Sequence, residues 1–269
     1  MRELDLKRLM KNLYESMGYF ASIPPDGKIG YEEEYHHTNI DPDGKTRNFL
    51  QEREQSLAGV KEITDYLKGL HPGKILDIGC GLGWILSSLS EDWDKHGIEV
   101  SKFASNHAAQ FGNVHNGTLD DFNGFGFDVI IMNHVVEHLA DPVGALKQIH
   151  ELLRPNGILI IGTPNFDSAA ARRYGSNFRL LHDPTHISLF SSDSMHRFLR
   201  DHGFKIMEVE YPYFDTPWFT KENVIRILDD KGVSPPFYGS AMTFFANRND
   251  PCDRGRRPVC GNLSQPQTQ

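Results

Sequence analysis

The chain has 269 residues, with 28 Lys and Arg against 36 Asp and Glu, which gives a net charge of −8. With 39% hydrophobic and 24% charged residues, the composition is that of an ordinary folded protein, and the acidic balance argues against a nucleic-acid partner, which calls for a basic stripe. Apolar runs stop at about four residues, as at Ile158 to Ile161, far short of the ~20 that cross a bilayer. Three cysteines (Cys80, Cys252, Cys260) without C-x-x-C spacing build no disulfide framework, so a reducing, cytoplasmic setting without a membrane partner is expected.

Residues 1–45 read as a leader. Leu6, Leu9, Met10, Leu13 and Met17 recur at helical spacing and predict an amphipathic helix docked on the body. No apolar stretch follows its charges, so it is not a secretory signal. Residues 46–248 form the second part. Residues 49–70 read as one helix with Leu57, Val60, Ile63 and Leu67 on a single face. Lys74 to Ile78 reads as a short buried strand ending in a glycine-rich turn, followed by a helix through Ile85, Leu86 and Leu89. Further strands suit Lys95 to Val100, Asn113 to Gly117, Phe127 to Asn133, Gly157 to Thr163, Lys205 to Tyr211 and Met242 to Arg248. Helices suit Phe103 to Phe111, Pro142 to Leu153 and Ser192 to His202. Strand–helix alternation with short connections predicts an α/β fold, a doubly wound sheet of seven mostly parallel strands. The last two strands are joined by a non-helical insertion (212–240), which predicts one antiparallel strand at the end. From residue 249 the chain is rich in Pro, Gly and Gln, and 249–269 is expected to be a disordered tail.

In such a sheet the ligand lies outside the carboxyl ends of the strands, near the first. Gly79, Gly81 and Gly83 fall there, where glycine lets backbone N–H groups approach a ligand. The pattern is G-x-G-x-G after Asp77, with Trp84 where a dinucleotide fingerprint has its third glycine, which counts against a nicotinamide cofactor. Glu99 ends the second strand, where a carboxylate can accept from both hydroxyls of a ribose. A plain tight turn and a solvated strand end are the alternatives for each feature taken singly; together they favour adenosine.

Asp77-Ile78-Gly79-Cys80-Gly81-Leu82-Gly83, Glu99, Phe127-Asp128-Val129-Ile130, Glu137-His138-Leu139-Ala140-Asp141-Pro142, Leu153-Arg154-Pro155-Asn156-Gly157 and Thr163-Pro164-Asn165 resemble the class I S-adenosylmethionine-dependent methyltransferases. Within that class the look is that of the subgroup holding the ubiquinone-biosynthesis O-methyltransferases and many small-molecule and sugar methyltransferases. The resemblance covers about residues 46–211, with Trp84 a mild departure in the turn. It implies S-adenosylmethionine as cofactor and S-adenosylhomocysteine as product. It places the methionine part on Asp77, Gly79, Cys80, Gly81 and Gly83, the ribose on Glu99, and the adenine against Val100, Leu119 and Asp120. Asn133 and His134 would stand beside the methyl group.

Methyl transfer is an in-line displacement in which the protein chiefly positions the reactants and excludes water, while a hydroxyl acceptor also needs its proton removed. His134 is the candidate general base; the other reading gives it only a backbone hydrogen bond. His138 follows by four residues, but a shared metal is rejected in favour of a capping and packing role for Glu137-His138. The resemblance puts the segment from Arg172 to Phe190 on the acceptor side, making Tyr174, His182 and His186 candidates alongside His138. A metal on His182 and His186 is not adopted, since Pro184 opposes a regular helix, and His186 can equally fasten the loop to the core. The resemblance also makes the leader segment Tyr31 to His37 either a solvated acidic turn or a lid closed by Tyr35 or His36. The insertion's Phe214, Trp218, Phe219, Phe237 and Tyr238 are either a cover on the acceptor pocket or a homodimer surface.

The expectation is therefore an enzyme that methylates a small-molecule acceptor, with oxygen preferred over nitrogen or carbon. A protein acceptor, a cofactor-binding protein without chemistry and a nucleotide-dependent oxidoreductase are the competing readings.

Overall fold

The structure is a computed structural model and describes residues 4–24, 39–40, 46–212 and 239–249. The acidic segment from Tyr31 to His37, the aromatic residues of the insertion, Cys252, Cys260 and the tail lie outside the described residues.

Helix α1 (Leu6–Ser16) starts at Asp5, whose carboxylate accepts from the Arg8 N–H at 3.0 Å, a side-chain cap of the kind that satisfies an orphan donor. Leu6, Met10 and Leu13 pack with Phe166, Phe178, Leu181 and Leu189, so the helix is docked on the body. Met17 does not join that face: it follows the helix in a left-handed cap and is 65% exposed. The single helix expected over 49–70 is two, α2 (Arg53–Ala58) and α3 (Lys61–Lys68). Gly59 closes the first, and Val60, at φ −126°, leaves helical geometry before the second begins. Ile63 and Leu67 of α3 are buried, while Leu57 on α2 is only half-buried.

The central sheet contains β1 (Lys74–Ile78), β2 (Asp94–Glu99), β3 (Asn113–Asn116), β4 (Phe127–Asn133), β5 (Leu153–Pro164), β6 (Phe204–Glu210) and β7 (Ala241–Arg248). Its order is β6-β7-β5-β4-β1-β2-β3. Strands β1 to β5 run parallel, and β7 lies antiparallel between β5 and β6, the one antiparallel strand expected at the end of the sheet. Helices α4 (Trp84–Ser88), α5 (Lys102–Ala108), α6 (Pro142–Leu152), α7 (Ala169–Tyr174) and α8 (Ser192–Asp201) complete the alternation. Helix α4 stops at Ser88 because Leu89 is already extended.

The near-continuous apolar runs of β1, β4 and β5 follow from burial on both faces. Leu76, Ile130, Met132, Leu159 and Ile161 pack toward α6 and α8. Their neighbours Ile75, Val129, Ile131 and Ile160 pack on the other face with Ile63 and Leu67 of α3 and with Phe245. This is the two-residue alternation of a strand put to use on both sides. The sheet order reverses between β1 and β4, and the ends of β1, β2 and β4 meet there. A two-residue antiparallel ladder, Ala21–Ser22 with Ser188–Leu189, ties the leader to the segment after α7. Among the described residues no helix is long and apolar enough to cross a membrane.

Candidate active site

The turn after β1 is held by the neighbouring strand: the Gly79 and Cys80 N–H groups donate to the Ile98 carbonyl at 2.8 and 3.1 Å. Gly79 adopts φ +70° and Gly81 φ +53°, the left-handed region that disfavours a Cβ. A Cβ on Gly79 would also collide with the Val135 side chain, whereas one on Gly81 would meet nothing within 4 Å. Gly79 is thus required by packing, and Gly81 borders open space. Gly83, also left-handed, precedes α4 and packs against Ala108 and Phe111. Cys80 turns away from that space: its sulfur lies over Gly97, in a cluster with Leu86 and Ala108. Burial pushes its thiol well above the usual range, so Cys80 offers the turn its backbone rather than a nucleophile. Trp84 anchors the far side, its indole N–H donating to the Phe49 carbonyl at 3.2 Å and its ring set edge-on to His107.

Glu99 is buried, and its two carboxylate oxygens accept from the Ser101 and Gly81 N–H groups, each at 2.8 Å. A carboxylate has about four lone-pair sites, so the group keeps acceptor capacity beside these backbone donors. Burial raises its pKa against the lowering effect of those N–H donors. Asp77, wholly enclosed, is pushed up to about 8, first by burial and then by the Glu99 charge. Beside them Val100 is 56% exposed, an apolar surface at a strand end. Leu119 is half-buried against the main core, its carbonyl accepting from Gln148, and Asp120 is exposed.

The register that pairs Ile78 with Met132 brings Gly79 alongside Asn133 at the end of β4. The Asn133 amide lies over Gly162, where a Cβ would collide with it. His134 follows at φ +55°, its N–H donating to the Gly162 carbonyl at 2.9 Å. The chain between His134 and the next helix makes a single 3-10 turn, Val136–His138. The capping role belongs to Asp141, which accepts from the Gly144 N–H at 2.9 Å at the start of α6. Glu137 does something else. Its side chain has no exposed surface, one oxygen lies 3.1 Å from His134 Nδ1, and the other accepts from the Thr163 hydroxyl at 3.1 Å. Burial would raise its pKa, but the hydrogen bond from His134 and the positive potential of His134, His138 and His186 bring it down to about 2.

His186 is buried with Nδ1 donating to the Leu180 carbonyl and Nε2 3.9 Å from Glu137. Burial lowers its pKa. The His138 ring lies 4.8 Å from that of His186, centroid to centroid. Glu137, His138 and His186 each present one ligand atom, all within 4.8 Å of one another. That set is neither of the pairs weighed in the sequence, and in it Glu137 already serves His134 and Thr163. Of the four acceptor-side candidates the structure brings His138 and His186 to this cluster. Tyr174 ends α7 with 37% of its surface exposed, and His182 follows the 3-10 turn Arg179–Leu181, half-buried. Thr163, quoted above only as part of the Thr163-Pro164-Asn165 motif, is given no place at the site by sequence reasoning.

These residues fit the cofactor the resemblance implies: open space at Gly81, a two-oxygen acceptor at Glu99, a carboxyl at Asp77 for a cationic amino group, and exposed Val100 beside them. Fold and turn together define a class I S-adenosylmethionine-dependent methyltransferase domain. A family model described as a methyltransferase domain matches residues 49–209. The chain belongs to that methyltransferase domain family.

Among curated relatives it is 37% identical over 105 residues to a ubiquinone biosynthesis O-methyltransferase of Cereibacter sphaeroides, covering 34% of this chain and 41% of that one. With the protein of the same description from Parvibaculum lavamentivorans it shares 34% over 147 residues, 46% of this chain and 56% of that one. The chain thus spans about half the length of the curated relatives it matches. In fold it is similar to a SAM-dependent methyltransferase from Archaeoglobus fulgidus, with TM-score 0.56 and 22% identity over 74% of this chain and 98% of that one. It is also similar to the plantazolicin methyltransferase BpumL in complex with SAH, with TM-score 0.52 and 16% identity over 75% and 86%.

Proposed function

We propose that the protein methylates a small molecule at a hydroxyl oxygen, drawing on S-adenosylmethionine. When bound, that cofactor supplies an electrophilic methyl group on a sulfonium, already a good leaving group. The chain's own work is then positioning. Asp77 and the turn from Gly79 to Gly83 hold the amino-acid part, Glu99 the ribose, and Val100, Leu119 and Asp120 the adenine. Asn133 and His134 stand at the reacting end. His134 takes the proton of the acceptor hydroxyl, so that the oxygen attacks as a better nucleophile. Tyr174, His182, His138 and His186 belong to the acceptor side of this reading.

The observation that carries it is the placement of His134. Its side chain is 36% exposed at the carboxyl end of β4, beside the cofactor turn, while Glu137 next to it is wholly buried. The curated relatives described above as O-methyltransferases support oxygen as the acceptor atom. Residues 46–248 are assigned to the methyltransferase domain proper.

The test is transfer of labelled methyl from S-adenosylmethionine to a panel of catechols, phenols, sugar alcohols, amines and intact proteins. Label in the hydroxylated small molecules is the expected result, with a ~10²–10⁴-fold lower kcat in His134→Ala. Label confined to amines or proteins contradicts the acceptor assignment. Binding without any transfer favours a cofactor-binding protein.

A further inference from the structure

The segment placed on the acceptor side packs its apolar side chains on the leader. Phe166, Phe178 and Leu181 share a buried core with Leu6, Met10 and Leu13 of α1, and no residue of the seven central strands belongs to it. The sheet's own faces are covered by α3, α6 and α8. Tyr14, also on α1, donates its hydroxyl to the Asp167 carboxylate. Arg172 grips the same carboxylate as a fork, Nε to Oδ1 at 2.8 Å and Nη2 to Oδ2 at 2.7 Å, a bidentate geometry that adds direction to strength. We infer that α1 is the supporting wall of the acceptor side, and that Tyr14 is a positioning residue that holds the segment 166–189 through Asp167. The inference rests on the reading of that segment as the acceptor side.

The leader holds the far end of the segment as well. Ala21–Ser22 pairs with Ser188–Leu189, and the Ile23 N–H donates to the Ile187 carbonyl at 2.9 Å. The Ile187 N–H donates in turn to the Glu137 carbonyl at 2.8 Å, and the Ser188 hydroxyl to the Leu139 carbonyl at 2.8 Å. Residues 187 and 188 are thus clamped between the leader and the 3-10 turn that follows His134. Tyr19 and Phe20 pack on the sheet core, and Arg197 of α8 donates to the Gly18 carbonyl at 2.6 Å, so the leader is itself anchored to the body. The turn after β1 is held separately, by Ile98 and Glu99. Loosening α1 therefore uncovers the apolar side of 166–189 and shifts it, while the turn after β1 keeps its shape. The defect falls on the acceptor and spares the cofactor.

The test compares the full-length wild type, Tyr14→Phe, Leu13→Ala and, as a control for general destabilisation, Ile149→Val under α6. Hydrogen–deuterium exchange needs no acceptor. Losing a charge-assisted hydrogen bond changes an equilibrium by about tenfold or more, so Tyr14→Phe should exchange about tenfold faster across 166–189. Leu13→Ala should do the same, with β1, β2 and β4 as in the wild type, and Ile149→Val should not single out 166–189. For the acceptor methylated fastest in the panel above, KM should rise about tenfold in both leader variants, with kcat and the S-adenosylhomocysteine Kd within about twofold. In the wild type, an α1 that opens at lower urea than 166–189 overturns the inference without any variant having to fold. Unchanged exchange across 166–189 in both leader variants overturns it too. Tyr174→Ala and His182→Ala separate it from the reading beneath it. If they raise the acceptor KM and the leader variants do not, the inference fails while the acceptor-side reading stands. If none of the four raises it, that reading fails and the inference with it.

Discussion

The carboxylate of Glu99 accepts a hydrogen bond from the Gly81 N–H at 2.8 Å, joining the end of β2 to the turn that follows β1. One side chain thus shapes the turn and presents lone pairs beside it. Glu99→Ala removes both roles. Charge-assisted hydrogen bonds contribute ~1.5–3 kcal/mol each, so the affinity for S-adenosylhomocysteine should fall at least tenfold in a calorimetric titration. An unchanged Kd would remove Glu99 from the ribose.

Gly79 and Gly81 share positive φ but not surroundings. Alanine at 79 meets the Val135 side chain as well as backbone strain, and the combined cost is on the order of 1–3 kcal/mol of stability. Alanine at 81 has room and should cost less stability. If the proposed function is right in putting the cofactor there, Gly81→Ala loses proportionally more S-adenosylhomocysteine affinity than melting temperature. Equal melting temperatures for the two variants would contradict the packing argument.

Asp77 gives the cofactor-free protein a pH signature. Its folded pKa, raised to about 8 from 3.8 by burial and then by Glu99, means the folded state holds a proton that the unfolded state releases. The associated stability is fully present below about pH 4 and is lost as pH rises toward 8. Glu137, lowered to about 2, works in the opposite sense and only in the acid range below its ordinary value of 4.5. Melting temperature should therefore decline between pH 5 and 8 more steeply in wild type than in Asp77→Asn. Parallel slopes would show that Asp77 is ionised throughout.

The sheet was legible because its strands are short apolar runs punctuated by glycine and capped helices. Both covered faces print Val, Ile and Leu onto the sequence at β1, β4 and β5. The break at Gly59 and Val60 was not legible, since Leu57, Val60, Ile63 and Leu67 keep one helical face across it. The turn after β1 was legible because its glycines follow a short apolar strand, and Gly79, Gly81 and Gly83 all take the left-handed backbone that glycine permits. The Glu137 cluster was not. Its members come from the residue after β4, the 3-10 turn, β5 and the segment before Ser188, which are far apart in the sequence or share no regular element. A buried carboxylate among histidines is a tertiary fact, set by the β4–β5 pairing that brings Asn133 against Gly162.

The most direct measurement is a thermal-shift comparison of S-adenosylmethionine and S-adenosylhomocysteine with NAD and NADP. A ligand at 100 times its Kd stabilises by ~2.7 kcal/mol, several degrees for a domain of this size. The methyltransferase account predicts a shift with the first two alone. A shift with NAD or NADP alone would contradict it.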